Sequence, residues 1–496
     1  MANINKEMAK GAAWMVIFKF AGRGIGVVST MILARLLLPN DFGLIAMAMS
    51  VIALLELMSA FGFDMALIQN QKAEDKHYNT AWTFNVIFGL TSAIILILIA
   101  QPVSAFYLEP RLENVIYALS LGAFIQGLEN IGVVDFRKQM QFRKEFKFLL
   151  TVKILGFFIV IPCAYFLRNY WALVAGIVAS RLIQVTLSYA VHPYRPRFSL
   201  NASSELFNFS KWLLLTNIFS FLKTRSADFI IGRQLGAKTL GLYSVTLEIS
   251  EISSTEIVMP INRAIFPGFA KLAHDIKLLK ESFLGVLSMV AIFSIPAGTG
   301  MAATAEYIIP ILLGNKWAEA IPLVGILAFA GVITSLQTNI PYVYFALNKP
   351  HMTTIFNVIY VSIFIPLIFI LTSIASIKGA AYAYLLTTLV LLPLNLYMLS
   401  RYISFTLIEC IHTLWRPIIA STIMFYCIRF AIHTIEISHY IPYKIISFLL
   451  LVILGILAYF LCLVFLWVIS GKPKSAEYII YHKTKSFIDN HLPTRV

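Results

Sequence analysis

The stretch KGAAWMVIFKFAGRGIGVVSTMILARLLLPNDFGLIAMA, residues 10–48, decides the class of fold. Between Gly11 and Leu33 it is apolar apart from Lys19, Arg23 and a few small polar residues. A helix of that length crosses about 30 Å of hydrocarbon, for which roughly 17–25 residues suffice. A short connection with Arg35, Pro39 and Asp41 follows, and a second apolar run begins at Phe42. Lys6 and Lys10 precede the first run, which is too long for the core of a signal peptide and lacks an Ala-x-Ala-like site. It reads as a retained helix.

The same pattern fills the chain. Of 496 residues 59% are apolar and 13% charged, with a mean hydropathy of +0.81. Soluble domains carry about 25% charged residues, so too few ionisable side chains are present to coat a soluble surface of this size. The sequence predicts an all-α, polytopic membrane protein with about fourteen transmembrane helices. They fall near 11–33, 42–62, 80–100, 113–134, 148–167, 171–190, 212–232, 241–262, 282–300, 320–340, 352–371, 378–400, 414–433 and 444–469. Pro296 and Pro310 disfavour one straight helix through residues 301–313, which either extend the ninth span or form a lateral element.

A formal charge of +15 raises the possibility of nucleic acid, but the Lys and Arg residues are spread over short connections and form no basic domain or arm. With the N-terminus inside, 23 of them fall on the cytoplasmic side and 8 on the other, as the positive-inside rule requires. One misplaced span would invert every later loop, so the alternation supports an even number of spans with both termini cytoplasmic. Cys163, Cys410, Cys427 and Cys462 lie in or beside apolar stretches without CxxC or metal-ligand spacing, and read as small buried hydrophobes. No metal and no cofactor is expected.

A shift of 198 residues pairs Trp14 with Trp212, Arg35 with Arg233, Leu37 with Leu235, Gly43 with Gly241 and Leu44 with Leu242. Five identities over about thirty positions are modest, since apolar helices match by chance, but they include a Trp, an Arg and a Gly in one loop-and-helix context. An internal duplication predicts two parallel six-helix lobes, 1–200 and 201–405, related by an axis along the membrane normal and enclosing a cleft. Two extra helices occupy 406–470, and 471–496 form a polar cytoplasmic tail.

Polar groups within the spans mark the candidate site. A central Lys, Arg or Asp costs about 2.5–3.5 kcal/mol on insertion scales, so it faces a cavity or a partner. Lys19 and Arg23 are four apart on one face of the first span, and Gly22, Gly24 and Gly26 permit close approach there. The seventh span carries Lys223, Arg225 and Asp228, the last two spaced to form an ion pair. Lys19, Arg23, Lys223 and Arg225 are expected to line an electropositive cavity that binds pyrophosphate. Glu56, Glu248 and Glu251 are candidates for coupling to a proton or sodium gradient. The competing reading makes these groups structural ion pairs or snorkelling side chains, and it is favoured for Lys153, Asp64 and Arg429.

Three stretches resemble the polysaccharide exporters of the multidrug/oligosaccharidyl-lipid/polysaccharide flippase superfamily, in the branch of colanic-acid, teichuronic-acid and O-antigen exporters. They are residues 10–48, quoted above, FNFSKWLLLTNIFSFLKTRSADFIIGRQLGAKTLGLYSV (207–245) and MPINRAIFPGFAKL (259–272). The second is the most specific, with Arg225, Asp228 and Ile231-Gly232-Arg233 leading through Gly236 to Gly241-Leu242-Tyr243. The resemblance covers roughly residues 8–470.

It implies a flippase of the bacterial inner membrane that moves polyprenyl-pyrophosphate-linked oligosaccharide by alternating access, for surface polysaccharide biosynthesis. Membrane lipid is an expected partner, and accessory contact with a polysaccharide polymerase stays open. An ion gradient is the implied energy source, and the sequence carries no Walker A motif. Two other readings stay open: an ion-coupled small-molecule antiporter of the same fold, and a membrane-embedded polyprenyl-phosphate glycan polymerase or ligase. The enzyme would be expected to carry a large periplasmic loop, and no connection between the expected spans approaches that size.

Overall fold

The computed structural model describes residues 21–59, 63–252, 258, 265, 268–434, 441–473 and 476–478. Among them there is no strand. Nine helices are long and apolar enough to cross a membrane, or ten if the pair Arg111–Gly127 and Ile131–Lys138, bent by 67°, counts as one broken span. Each expected span overlaps a described helix. The count of fourteen is not reproduced, because some spans are merged and the first is described only from residue 21.

The chain folds as two compact units, Met1–Ser244 and Val245–Val496. In the first unit α1 (21–36) leads to α2 (Pro39–Ser59), α3 (Phe63–Gln69), α4 (Asp75–Tyr107), α5 (Arg111–Gly127), α6 (Asp135–Lys138), α7 (Phe142–Leu167) and α8 (Trp171–Val191). Helix α9 (Ser203–Glu251) follows and crosses the boundary. Pro39 opens α2, where its missing N–H costs nothing, and the Asp41 carboxylate accepts from the Leu38 N–H at 2.9 Å. Gly236, at φ 79°, breaks α9 where the two expected spans adjoin. That left-handed conformation suits a residue without Cβ. Shifted by 198, the break falls on Leu38, in the α1–α2 connection.

At this connection two backbones nearly touch. A Cβ on Gly43 would lie 1.7 Å from the Ala237 carbonyl oxygen, and one on Gly241 would lie 1.8 Å from the Pro39 carbonyl oxygen. The approach is reciprocal, since Pro39 and Ala237 are, like the two glycines, 198 positions apart. Only glycine permits it, as where small residues line helix crossings generally.

The second unit contains α10 (Ile276–Ala303), α11 (Ala305–Leu312), α12 (Ile321–Gln337), α13 (Ile340–Ala346), α14 (His351–Ile403), α15 (Leu407–Thr434) and α16 (Ile441–Ile469). Asp275 caps α10 by accepting from the N–H groups of Lys277 and Leu278. Thr304 separates α11 from α10, so residues 305–312 are a distinct short helix and not a continuation. Helix α14 holds two expected spans joined at Ala375 and Ser376, whose dihedrals are non-helical. One core gathers Leu279, Phe283, Leu287, Val343 and Tyr344. A second joins Ile292 and Tyr307 to Met424, Ile428 and Tyr459 of the last two helices, where the Tyr459 hydroxyl donates to the Ile292 carbonyl at 2.9 Å.

Gly43→Val or Gly241→Val is expected to destabilise the first unit by at least about 3 kcal/mol, at the upper end of overpacking costs, because backbone must move. Gly24→Ala, where a Cβ meets nothing within 4 Å, is expected to stay within about 1 kcal/mol of wild type. Thermal unfolding of the detergent-purified variants checks both; equal stability of all three would contradict the close approach.

Candidate functional site

The cationic residues of the first unit are positioned by α1, α7 and α9. Arg23 is half-buried on α1. Next to it in the chain, the Gly22 carbonyl accepts from the Lys153 ammonium of α7 at 3.2 Å, which brings Lys153 within electrostatic range of Arg23. Lys153, expected to be structural, thus adds a second cation beside Arg23. Lys19 lies outside the described residues.

On α9 the expected pair forms, with Arg225 Nη1 at 3.2 Å from Asp228 Oδ2. Asp228 is 8% exposed, so its carboxylate depends on that guanidinium for compensation. Lys223, on the same helix, is exposed. The helix is held against α2 and α4 by Tyr107, whose ring stacks on Phe229 at 6.1 Å and whose hydroxyl lies 3.0 Å from Ser50 Oγ. Gly232 leaves room for this ring, because a Cβ there would come within 2.6 Å of it.

The candidate coupling carboxylates separate into two groups. Glu56 of α2 accepts from Arg181 Nη2 of α8 at 3.2 Å. Glu248 and Glu251 are half-buried on the last turns of α9, and the Glu251 carboxylate accepts from the Tyr384 hydroxyl. Arg429, expected to be structural, donates to Glu306 at 2.9 Å in the second unit. Among the described residues no group of three or more His, Cys, Asp or Glu could hold a metal ion.

Sequence reasoning missed a cavity of about 500 Å³ inside the first unit. It opens where α2, α3, α4, α5, α7 and α8 meet the bend that follows α5. Glu145, which lies in a stretch that reads as a basic connection, is 3% exposed there. It accepts through Oε1 from Arg137 Nε, while its Oε2 is buried without a hydrogen-bond partner. Glu129 Oε2 accepts from Gln184 at 2.9 Å. The sequence signals were Glu56 and Asp64, intramembrane carboxylates that also line this cavity, and Glu145 in the first turn of an apolar helix, but nothing local showed that the chain bends back over it.

Residues 32–322 match the model of a family described as polysaccharide biosynthesis protein. The chain belongs to that family. It is 25% identical over 420 residues to the lipopolysaccharide biosynthesis protein WzxC of Escherichia coli K12, covering 84% of this chain and 85% of that protein. The succinoglycan biosynthesis transport protein ExoT of Rhizobium meliloti is 28% identical, with 68% and 69% covered. The teichuronic acid biosynthesis protein TuaB of Bacillus subtilis is 23% identical, with 86% and 89% covered. The fold is that of the lipid II flippase MurJ in an inward closed conformation, with a TM-score of 0.74, 14% identity, and 91% of this chain and 98% of that one covered. An inward-facing multidrug resistance MATE transporter shares it more distantly, at a TM-score of 0.59 and 10% identity, with 77% and 95% covered.

Removing one member of the α9 pair is expected to strand the other. Asp228→Ala and Arg225→Ala should each cost about 1–3 kcal/mol, and the double variant less than their sum. A double-mutant cycle on thermal unfolding reads the coupling, and strictly additive losses would show that the pair does not interact.

Proposed function

We propose that this protein is a flippase that carries polyprenyl-pyrophosphate-linked oligosaccharide across the bacterial inner membrane for surface polysaccharide biosynthesis. One observation carries the reading. Membership of a polysaccharide biosynthesis family coincides with relatives such as WzxC, aligned over 85% of its length, on the fold of a lipid II flippase. The energetics agree. A diphosphate drawn through bare hydrocarbon meets a prohibitive desolvation cost, which cationic groups in a hydrated hollow offset, while the isoprenoid tail stays in lipid.

Lys19, Arg23, Lys223 and Arg225 are the proposed pyrophosphate ligands, with Asp228 orienting Arg225. The proximity of Lys153 to Arg23 supports an anion-binding role, because two neighbouring cations are relieved by a shared anion. Two lobes rocking about the repeat axis would provide alternating access, and the reciprocal approach of Gly43 and Gly241 supports such an axis. Both termini are assigned to the cytoplasm on the charge of the loops. Coupling to a proton or sodium gradient is proposed for Glu56, Glu248 and Glu251. Contact with a polysaccharide polymerase belongs to the same proposal.

Deleting the gene should cause lipid-linked repeat units to accumulate in the cytoplasmic leaflet and surface polymer to be lost. Arg23→Ala and Arg225→Ala, supplied in place of wild type, should each lower export about tenfold or more while the protein stays abundant in the membrane. Normal export by both variants would show that the anion site is misplaced. Drug sensitivity without any glycan defect would instead identify an antiporter.

A further inference from the structure

We propose that the cavity inside the first unit is a subsite for the sugar rings of the cargo, separate from the cations assigned to its pyrophosphate; this rests on the flippase reading. Its volume of about 500 Å³ lies within the roughly 300–1,000 Å³ of small-molecule sites, with room for a short run of pyranose rings.

The lining is of the kind that recognises hydroxyl groups. Planar amides from three helices, Asn85 of α4, Gln126 of α5 and Gln184 of α8, reach the cavity together with the carboxylates of Asp64, Glu129 and Glu145. An amide both donates and accepts, and a carboxylate accepts at two oxygens, so each can take a pair of neighbouring sugar hydroxyls. Apolar ring faces complete the wall, where Phe63 and Phe88 lie stacked at 6.2 Å and offer a surface to the C–H face of a sugar ring.

Glu145 carries the second, independent observation. Its Oε1 is held by Arg137, but Oε2 is buried with no hydrogen-bond partner in a side chain only 4% exposed. A buried acceptor left unmade is destabilising, and a donating hydroxyl entering the cavity removes that cost.

The charge balance decides which part of the cargo belongs here. Four carboxylates, Glu56, Asp64, Glu129 and Glu145, line the cavity, and Arg137 lines it with them. Arg181 is bonded to Glu56. Guanidinium groups therefore do not outnumber carboxylates here, so the cavity offers a pyrophosphate no excess of positive charge and suits neutral or amino sugars. A bound metal ion fits less well. Glu129 is bonded to Gln184, Glu145 to Arg137 and Glu56 to Arg181, and the described residues contain no group of three or more metal-ligating side chains.

The test uses the purified full-length protein and two probes. One is the water-soluble oligosaccharide released by mild acid from the cell's own lipid-linked precursor; the other is sugar-free undecaprenyl pyrophosphate. The double variant Gln126→Leu/Gln184→Leu should weaken oligosaccharide binding about tenfold, from two lost hydrogen bonds, and leave undecaprenyl pyrophosphate binding unchanged. Ser92→Phe, which fills the same cavity without removing an amide, should do the same and serves if the double variant does not fold. Oligosaccharide binding that is absent in wild type, or equal in wild type and a folded variant, overturns the proposal. So does a change confined to sodium or pH dependence with sugar affinity intact, which would mark a coupling site. Oligosaccharide bound in the cavity while undecaprenyl pyrophosphate is not bound would retain the subsite and sink the flippase reading instead.

Discussion

A charge left in hydrocarbon must find a partner or water, and this constraint organises the chain. Only 13% of the residues are charged, and the described intramembrane charges are largely spoken for by one another. Arg181 meets Glu56, Arg225 meets Asp228, and Arg429 meets Glu306. Each pair ties two helices or two turns together, so removing one member exposes the other to the cost of a stranded charge. Lys153 lies within electrostatic range of Arg23 despite their like charge. The buried Oε2 of Glu145, which meets no hydrogen-bond donor, departs from the rule, and a donating hydroxyl there would restore balance.

The backbone meets an equivalent constraint. In lipid every N–H and C=O must be satisfied within the protein, so breaks in helices are confined to sites that can absorb them. Gly236 takes a positive φ in α9, and Ser376 does so between the halves of α14. Beside the first break the helices following two equivalent connections cross through Gly43 and Gly241 with no side chain between them. A tight, side-chain-free crossing fixes the distance between the two backbones.

Much of this was legible in the sequence because the bilayer enforces length and apolarity one segment at a time. Every expected span overlaps a helix, the Arg225–Asp228 pair forms at its i, i+3 spacing, and the family resemblance is borne out by the match over residues 32–322. What the sequence concealed depends on distant segments. The 67° bend after α5 turns a short basic-loop segment back over the bundle, bringing Arg137 to Glu145 and opening the cavity. No periodicity within 127–145 reports such a bend. Likewise Lys153 was legible as an intramembrane charge, but its approach to Gly22 spans 131 residues and is invisible to helix-face reasoning.

The proposed activity is transfer of a lipid-linked oligosaccharide from one leaflet to the other by the protein itself. It is tested most directly by reconstituting the purified chain into liposomes that carry the fluorescent-tagged lipid-linked repeat unit only in the inner leaflet, with an impermeant sugar-cleaving enzyme outside. Cleavage should rise with the amount of protein per vesicle, and Arg225→Ala vesicles should lag well behind wild type. Cleavage no faster than in protein-free liposomes, with or without an imposed ion gradient, would contradict it.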